Sequence, residues 1–320
     1  MSRFFDAEQV RALLDPLACA RAVEGAMIAL STDASDQPLR QIVPIAPAKL
    51  FALMPGLLPD LMSAGGLIGA KVVTAFPALD RPERSQHRGL VIGFDRDTGV
   101  LTGVADAGEV TLIRTAAASA VATRALARPG FATCAILGIG EQARAHIRMF
   151  AAMFPLERFV VWGRNPAAVE AFIADVAPTV MIPLVAAQSV AAAAAQAEVI
   201  CTLTSASEPI LNRGDVEPGT HINAVGSSFA GPRELAVDLV ADSRYIVDCR
   251  AYALVAAAEF IEAKRLGLIA DEHIVTEIGH VLNGNCVGRQ RQNDITIYKS
   301  LGHIVQDLAA LGCLLDACAK

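Results

Sequence analysis

No CxxC pair occurs among the seven cysteines of this chain, Cys19, Cys134, Cys201, Cys249, Cys286, Cys313 and Cys318. They are scattered, odd in number and set mostly in apolar runs. That pattern argues against a disulfide framework and for buried free thiols in a reducing cytosol; no metal site is expected. The opening MSRFFDAEQV lacks an apolar signal core. No apolar run is long enough to span a bilayer, and even the alanine run at 191–195 is flanked by Gln188, Gln196 and Glu198. Positive charge is not in excess. With 27 basic and 33 acidic residues the net charge is −6, which excludes a surface built for nucleic acid or anionic membranes. Internal repeats and low-complexity linkers are absent. A cytoplasmic protein with neither membrane nor nucleic-acid partner is expected.

What is present is apolar and alanine-rich. Of the 320 residues, 53% are hydrophobic and 19% charged. That length suggests two domains at roughly 150 residues each. The most informative stretch is 135–144, AILGIGEQAR. A short apolar run, 134–137, reads as a buried strand and meets Gly138-Ile139-Gly140, after which a helical pattern begins. Gly138 permits the tight turn. Gly140 lets a pyrophosphate approach the backbone, and Ala143 takes the third small position, where helix packs on sheet. The helix start offers free N–H groups and a positive dipole end to phosphates. The motif lies well over a third of the way along, so a domain-sized segment precedes it.

That preceding segment reads as α+β. Helices are expected from the Asp6 cap to residue 14 and from Asp15-Pro16 to about residue 30. Strands are expected at 41–45, 49–54, 67–74, 90–95 and 100–104, the last two joined by the turn DRDTG, and helix from Thr111. After Gly138 helix and strand alternate. Helices are expected at 144–154, 166–176 and 189–196. Strands are expected at 158–162, 181–185, 198–203, 221–225 and 245–247. This alternation implies an α/β, Rossmann-type doubly wound parallel sheet. Beyond Asp248 the chain reads as mostly helical, with 294–298 a last strand or loop before a helix at 302–319.

Several phrases then fall together in order: GAKVVTAFP around Lys71, IRTAAASA at Arg114, GIGEQA, TSASEPIL, PGTHINAVGSS, REL and DITIYKSLGHIVQD. From about Arg40 to the end the chain resembles the ornithine cyclodeaminase/mu-crystallin family. The resemblance implies a substrate-binding and dimerisation domain at 1–119, completed by about 291–320, and an NAD(P)-binding Rossmann domain at 120–290. It implies a homodimer paired through the non-Rossmann domains. It also implies one of several chemistries: cyclisation of ornithine with tightly held NAD, reduction of cyclic imines, or amino acid dehydrogenation.

By the same resemblance Arg40, Lys71 and Arg114 surround a substrate carboxylate, which a planar guanidinium can grip with two charge-assisted hydrogen bonds. Lys71 is unusual in its own right, a charge inside an apolar strand. The resemblance places His87 beside the nicotinamide and Thr202, Thr204 and Ser205 along the ribose and diphosphate. Val225 falls by the nicotinamide and Ser300 on the returning C-terminal segment. Thr115, Glu141 and Gln142 complete the expected cofactor contacts with Gly138 and Gly140. After the second Rossmann strand the chain reads Gly163-Arg164-Asn165, with no acid to accept from a ribose 2′-hydroxyl. Arg164 can pair with a 2′-phosphate and Asn165 can donate to it, so NADPH is expected over NADH. Aligned on Glu234-Leu235, Ser228 stands where the family's lyases carry an aspartate. A serine hydroxyl is not a base unless another base activates it. The expected enzyme is an NAD(P)H-dependent reductase of cyclic imines with a 2-carboxylate, with Arg40, Lys71, Arg114 and Ser228 at the substrate. The alternatives are an ornithine-type lyase, an alanine-type dehydrogenase or a non-catalytic NADP-dependent ligand-binding protein.

Overall fold

The computed structural model of the protein describes residues 2–32, 37–46, 49–60, 65–76 and 87–318. The chain forms two compact units, Met1–Ala118 with His303–Lys320, and Ser119–Gly302.

The first unit holds a six-stranded sheet. Its strands are β1 (Arg3–Phe5), β2 (Gln41–Ala46), β3 (Lys49–Leu58), β4 (Leu67–Ala75), β5 (His87–Asp95) and β6 (Leu101–Asp106), ordered β1-β6-β5-β4-β3-β2. All neighbours are antiparallel except β1 and β6. Helix α1 (Ala7–Leu13) starts from an Asp6–Gln9 capping box, and α2 (Pro16–Thr32) carries proline at its first position. Helix α3 (Ala107–Leu126) begins four residues before the expected Thr111, because the Asp106 carboxylate accepts from the Glu109 N–H at 2.9 Å and caps it. The boundary between the units falls within α3.

The second unit holds an eight-stranded, wholly parallel sheet: β7 (Thr133–Leu137), β8 (Arg158–Trp162), β9 (Leu184–Ala186), β10 (Val199–Thr202), β11 (His221–Ala224), β12 (Arg244–Val247), β13 (Ile274–Glu277) and β14 (Thr296–Lys299). Their order is β13-β12-β14-β11-β10-β7-β8-β9. The order reverses at β7, where the chain runs outward through β8 and β9 and then returns to β10 on the other side. In open α/β sheets ligands bind at this switch point, outside the carboxyl ends of the strands. The connecting helices are α4 (Glu141–Met153), α5 (Pro166–Val176), α6 (Val190–Ala194), α7 (Val237–Ala241), α8 (Arg250–Ala256), α9 (Ala258–Arg265) and α10 (Ile278–Leu282). The α/β, doubly wound reading holds. Several details differ from the sequence expectation: Arg3–Phe5 is a strand that was not expected, and the strand expected at 181–185 is Leu184–Ala186. Beyond Asp248 helix predominates as expected, but an unexpected strand, Ile274–Glu277, extends the sheet beside β12. The segment Thr296–Lys299 lies between β11 and β12, so the return to the first unit starts at His303 rather than near residue 291.

That return is α11 (Ile304–Ala317), and a row of glycines decides where it lies. Gly56, Gly69, Gly93 and Gly103 stand opposite one another on β3, β4, β5 and β6. A Cβ on Gly56 would come within 2.3 Å of Ile304, on Gly69 within 2.6 Å of Leu308, on Gly93 within 2.6 Å of Leu311 and on Gly103 within 3.1 Å of Leu315. These four α11 residues share one helix face by their spacing. The missing Cβ atoms thus form a trough across the sheet, and α11 packs into it with α2 beside it.

Candidate active site

Lys71 lies on the same face of β4 as Gly69, two residues along, and therefore points toward α11. It is 2% exposed. Its Nζ donates to Thr111 Oγ1 at 2.5 Å and to Asp307 Oδ1 at 3.0 Å. Arg114, also buried, donates from Nε to the same Asp307 oxygen at 3.0 Å and from its terminal nitrogen to Gln306 Oε1 at 2.7 Å. Arg40 is half-buried just before β2, close enough to weaken the positive forms of Lys71 and His303. The first unit therefore brings Arg40, Lys71 and Arg114 into one electrostatic cluster around one wholly buried carboxylate.

Burial pulls Lys71 from 10.5 to about 8; Asp307 opposes the shift, while Arg114 and Arg40 add to it. Burial works against a charged Asp307, yet Arg114 and then Lys71 hold its carboxyl below the ordinary carboxylate value. His303 caps α11 by accepting the Val305 N–H on Nδ1. Burial, and then the charge of Arg40, hold it neutral, at about 3. His87 opens β5 opposite Ala75; its side chain lies outside the described residues.

In the second unit, Gly138 sits at the end of β7 with φ +128°. A Cβ there would come within 2.5 Å of the Leu203 carbonyl oxygen, so the turn accepts only glycine. Gly140 is the N-cap of α4 and a Cβ on it would meet open space. That space is what a ligand approaching the backbone requires. Glu141 and Gln142 form the first turn of α4, which starts three residues before the expected Arg144.

The strand ends beyond the switch point are tied together by one buried carboxylate. Glu234 Oε1 accepts from Thr204 N at 2.6 Å and Thr204 Oγ1 at 2.8 Å; its Oε2 accepts from Thr202 Oγ1 and Gly226 N, both at 2.7 Å. The hydroxyl protons of Thr202 and Thr204 are spent on this carboxylate, so toward a cofactor both groups can only accept. Ser205 is exposed beside them and Val225 is buried at the end of β11. Next along the chain, Ser227 is held by Lys299, whose Nζ donates to the Ser227 carbonyl at 2.6 Å, to its hydroxyl at 2.8 Å and to Glu259 Oε1 at 2.8 Å. Ser228 follows, half-buried. Sequence reasoning used Glu234 only as an alignment mark and gave Lys299, Glu259 and Asp307 no role. The available signal was charge in apolar surroundings, since each is a charged residue in a segment that folds to full burial.

At the end of β8, Gly163, Arg164 and Asn165 stand with no acid among them. Asn165 caps α5, its Oδ1 accepting from Ala167 N and Ala168 N, which leaves its amide N–H₂ to donate. Arg164 is exposed. Two further expected cofactor contacts, Thr115 and Ser300, carry buried hydroxyl oxygens with no partner among the described residues. Within the second unit, the glycine cradle and the orphaned Ser300 hydroxyl fit a nicotinamide dinucleotide. Among the described residues no cluster of His, Cys, Asp or Glu could hold a metal ion, and no helix is long and apolar enough to cross a membrane.

The family model of the ornithine cyclodeaminase/mu-crystallin family matches residues 2–320. The chain belongs to that family. Ketimine reductase mu-crystallin of Mus musculus is 34% identical over 281 residues, covering 88% of this chain and 85% of that protein. A Delta(1)-pyrroline-2-carboxylate reductase of Bacillus cereus is 29% identical over 290 residues, covering 89% and 88%. Among solved structures, Delta(1)-pyrroline-2-carboxylate reductase of Thermococcus litoralis, in complex with NADH and L-proline, superposes with a TM-score of 0.92 at 26% identity. The match covers 99% of this chain and 97% of that one.

Proposed function

We propose that this protein is an NAD(P)H-dependent reductase of cyclic imines bearing a 2-carboxylate. The leading substrate is 1-pyrroline-2-carboxylate, giving L-proline, and the second is 1-piperideine-2-carboxylate, giving L-pipecolate. The observation that carries the reading is the cation cluster of the first unit, in which two buried cations, Lys71 and Arg114, share one oxygen of a single carboxylate, Asp307, and Arg40 adds to the positive field. An excess of buried positive charge is costly unless an anion completes it, and a substrate carboxylate is such an anion. Arg40 and Arg114 clamp it, and Lys71 binds the carboxylate or the imine nitrogen and passes a proton to that nitrogen. The nicotinamide, when bound, supplies the hydride that adds to C2. With the hydride on carbon and the proton on nitrogen, C=N becomes CH–NH. Ser228 hydrogen-bonds the substrate or a water near the nitrogen. The task is mostly positioning, and a hydroxyl suffices where cyclising an amine requires a base.

Arg164, without a neighbouring acid, favours NADPH. The outer face of the six-stranded sheet, away from α11, exposes Val43, Phe51, Ile68, Leu90 and Phe94 at 37–48%. In the family reading this apolar face pairs two copies of the chain. The deciding experiment follows NADPH and NADH oxidation with pyrroline-2-carboxylate, piperideine-2-carboxylate, and pyruvate with ammonia or methylamine, with ornithine run beside them for released ammonia. Reduction of the cyclic imines and little ammonia from ornithine are expected. Lys71→Ala and Arg114→Ala should each cripple reduction. Ammonia and proline from ornithine at a rate comparable to imine reduction would overturn the assignment.

A further inference from the structure

Asp307 has no part in clamping the substrate, yet it is the best-enclosed charge in the first unit. Its carboxylate is wholly buried and one oxygen is shared between Lys71 and Arg114. A carboxylate that only neutralised a buried lysine would need no second cation. This one spans β4 and α3 from α11, and it reaches them because the glycine trough lets α11 down onto the sheet.

Thr111 holds Lys71 from the other side. The Thr111 hydroxyl donates to the Ala107 carbonyl, so toward Lys71 it can only accept. An ammonium has three N–H donors. One goes to Thr111 and one to Asp307, and the third has no partner among the described residues.

We propose that Asp307 is a positioning residue for Lys71: with Thr111 it directs the remaining N–H, and its charge keeps Lys71 an ammonium when the substrate arrives. This rests on the reductase reading, in which that ammonium faces the substrate. The charged and titratable groups around Lys71 are Asp307 and His303 from α11 and its cap, Arg114 from α3, and Arg40 from the segment before β2; Cys19 on α2 lies in the field of Arg114 and Asp307. The cross-strand neighbours Met54 and Val91 are apolar and buried. Asp307 is the only anion in this set. Burial, Arg114 and Arg40 all act to strip the proton from Lys71, and Asp307 alone opposes them. Without its charge, Lys71 gives up its proton at lower pH.

The test is Asp307→Asn, which keeps the shape and removes the charge. Two readouts are needed: kcat/KM for pyrroline-2-carboxylate against pH, and the ionisation of Lys71 followed by its ¹³Cε resonance, assigned by its disappearance in Lys71→Met. NADH binding serves as the control for an intact second unit. The expected result is a Lys71 midpoint lowered by about one pH unit or more, with the alkaline limb of kcat/KM moving by the same amount. The loss is then about fivefold or more at pH 8, approaches about tenfold or more at higher pH, and shrinks toward pH 6. An unmoved midpoint, or a loss uniform with pH, overturns the proposal. Should the wild-type protein reduce no imine, the reductase reading fails by itself, and the Lys71 midpoint still decides the role of Asp307. If Asp307→Asn does not fold, Asp307→Glu carries the test, since it keeps the charge and lengthens the arm. The midpoint should then stay within about half a unit while kcat falls about fivefold or more. An unchanged kcat overturns the proposal.

Discussion

Arg164 stands exposed at the tip of β8, beside an asparagine whose oxygen is already committed to capping α5. In the proposed reading its guanidinium is the group among Gly163, Arg164 and Asn165 that carries a positive charge to a 2′-phosphate. Replacing it with alanine should weaken NADPH binding by about 1.5–3 kcal/mol, the range for a hydrogen bond to a charged group, and leave NADH unaffected. Titration of both cofactors by fluorescence checks this, and equal losses would show that Arg164 does not read the phosphate. The composition of this strand end, an arginine and an asparagine with no acid, was legible because these residues are next to one another in the chain. Asp307 was not legible in the same way. It lies in the quoted run GHIVQD, but its partners Lys71 and Arg114 are roughly two hundred residues away, and only the docking of α11 brings the three together. Glu234 was likewise visible as part of REL, while its four donors come from two different strand ends.

At the scale of elements, the periodic segments of the second unit were read correctly because buried parallel strands are short apolar runs separated by amphipathic helices. Strand β13 escaped because its sequence, IVTE, is short and sits among helical patterns. The trough under α11 could not be read at all. Four glycines in four strands become a row only when the register is known, and register is a property of pairing rather than of any one strand. The row makes a graded prediction. A Cβ at Gly69 would fall 2.2 Å from the Ile92 carbonyl oxygen and 2.6 Å from Leu308, whereas one at Gly103 would meet the end of the Leu315 side chain at 3.1 Å and the Arg3 carbonyl oxygen only at an ordinary contact distance of 3.5 Å. Gly69→Ala should therefore destabilise the protein at or beyond the upper end of the usual overpacking range of about 1–3 kcal/mol, and Gly103→Ala by much less. Because Leu308 follows Asp307, Gly69→Ala should also depress imine reduction more than it depresses cofactor binding. Urea denaturation and paired rate and binding measurements check both parts; equal costs at the two glycines would show that the trough does not set the seat of α11.

Across the whole molecule, the two units share one electrostatic habit, which is histidine buried in the neutral form. His146 on α4 bonds the Gln142 carbonyl and the Ser119 hydroxyl, and burial lowers it to about 4. Burial, with Arg289 adding, lowers His221 on β11 to about 3. Burial, with Arg40 adding, lowers His303 to about 3. Each is 6.5 in the unfolded chain, so between about pH 6.5 and 4 the unfolded state binds protons that the folded state refuses. Stability is therefore fully present above 6.5 and is lost as pH falls through that value. At pH 5 each histidine withdraws about 2 kcal/mol, against a typical total of about 5–15 kcal/mol for a folded domain. Two of the three lie in the second unit and one in the first, so the second unit should fail first on acidification. Urea midpoints at pH 7.5 and 5 check the size of the loss. Hydrogen exchange at pH 5 checks its place, since amides of β7, β10 and β11 should open before those of β3, β4 and β5. A midpoint unchanged between the two pH values would mean that these histidines take up protons in the folded protein, and the neutral caps and seams described for them would then be wrong.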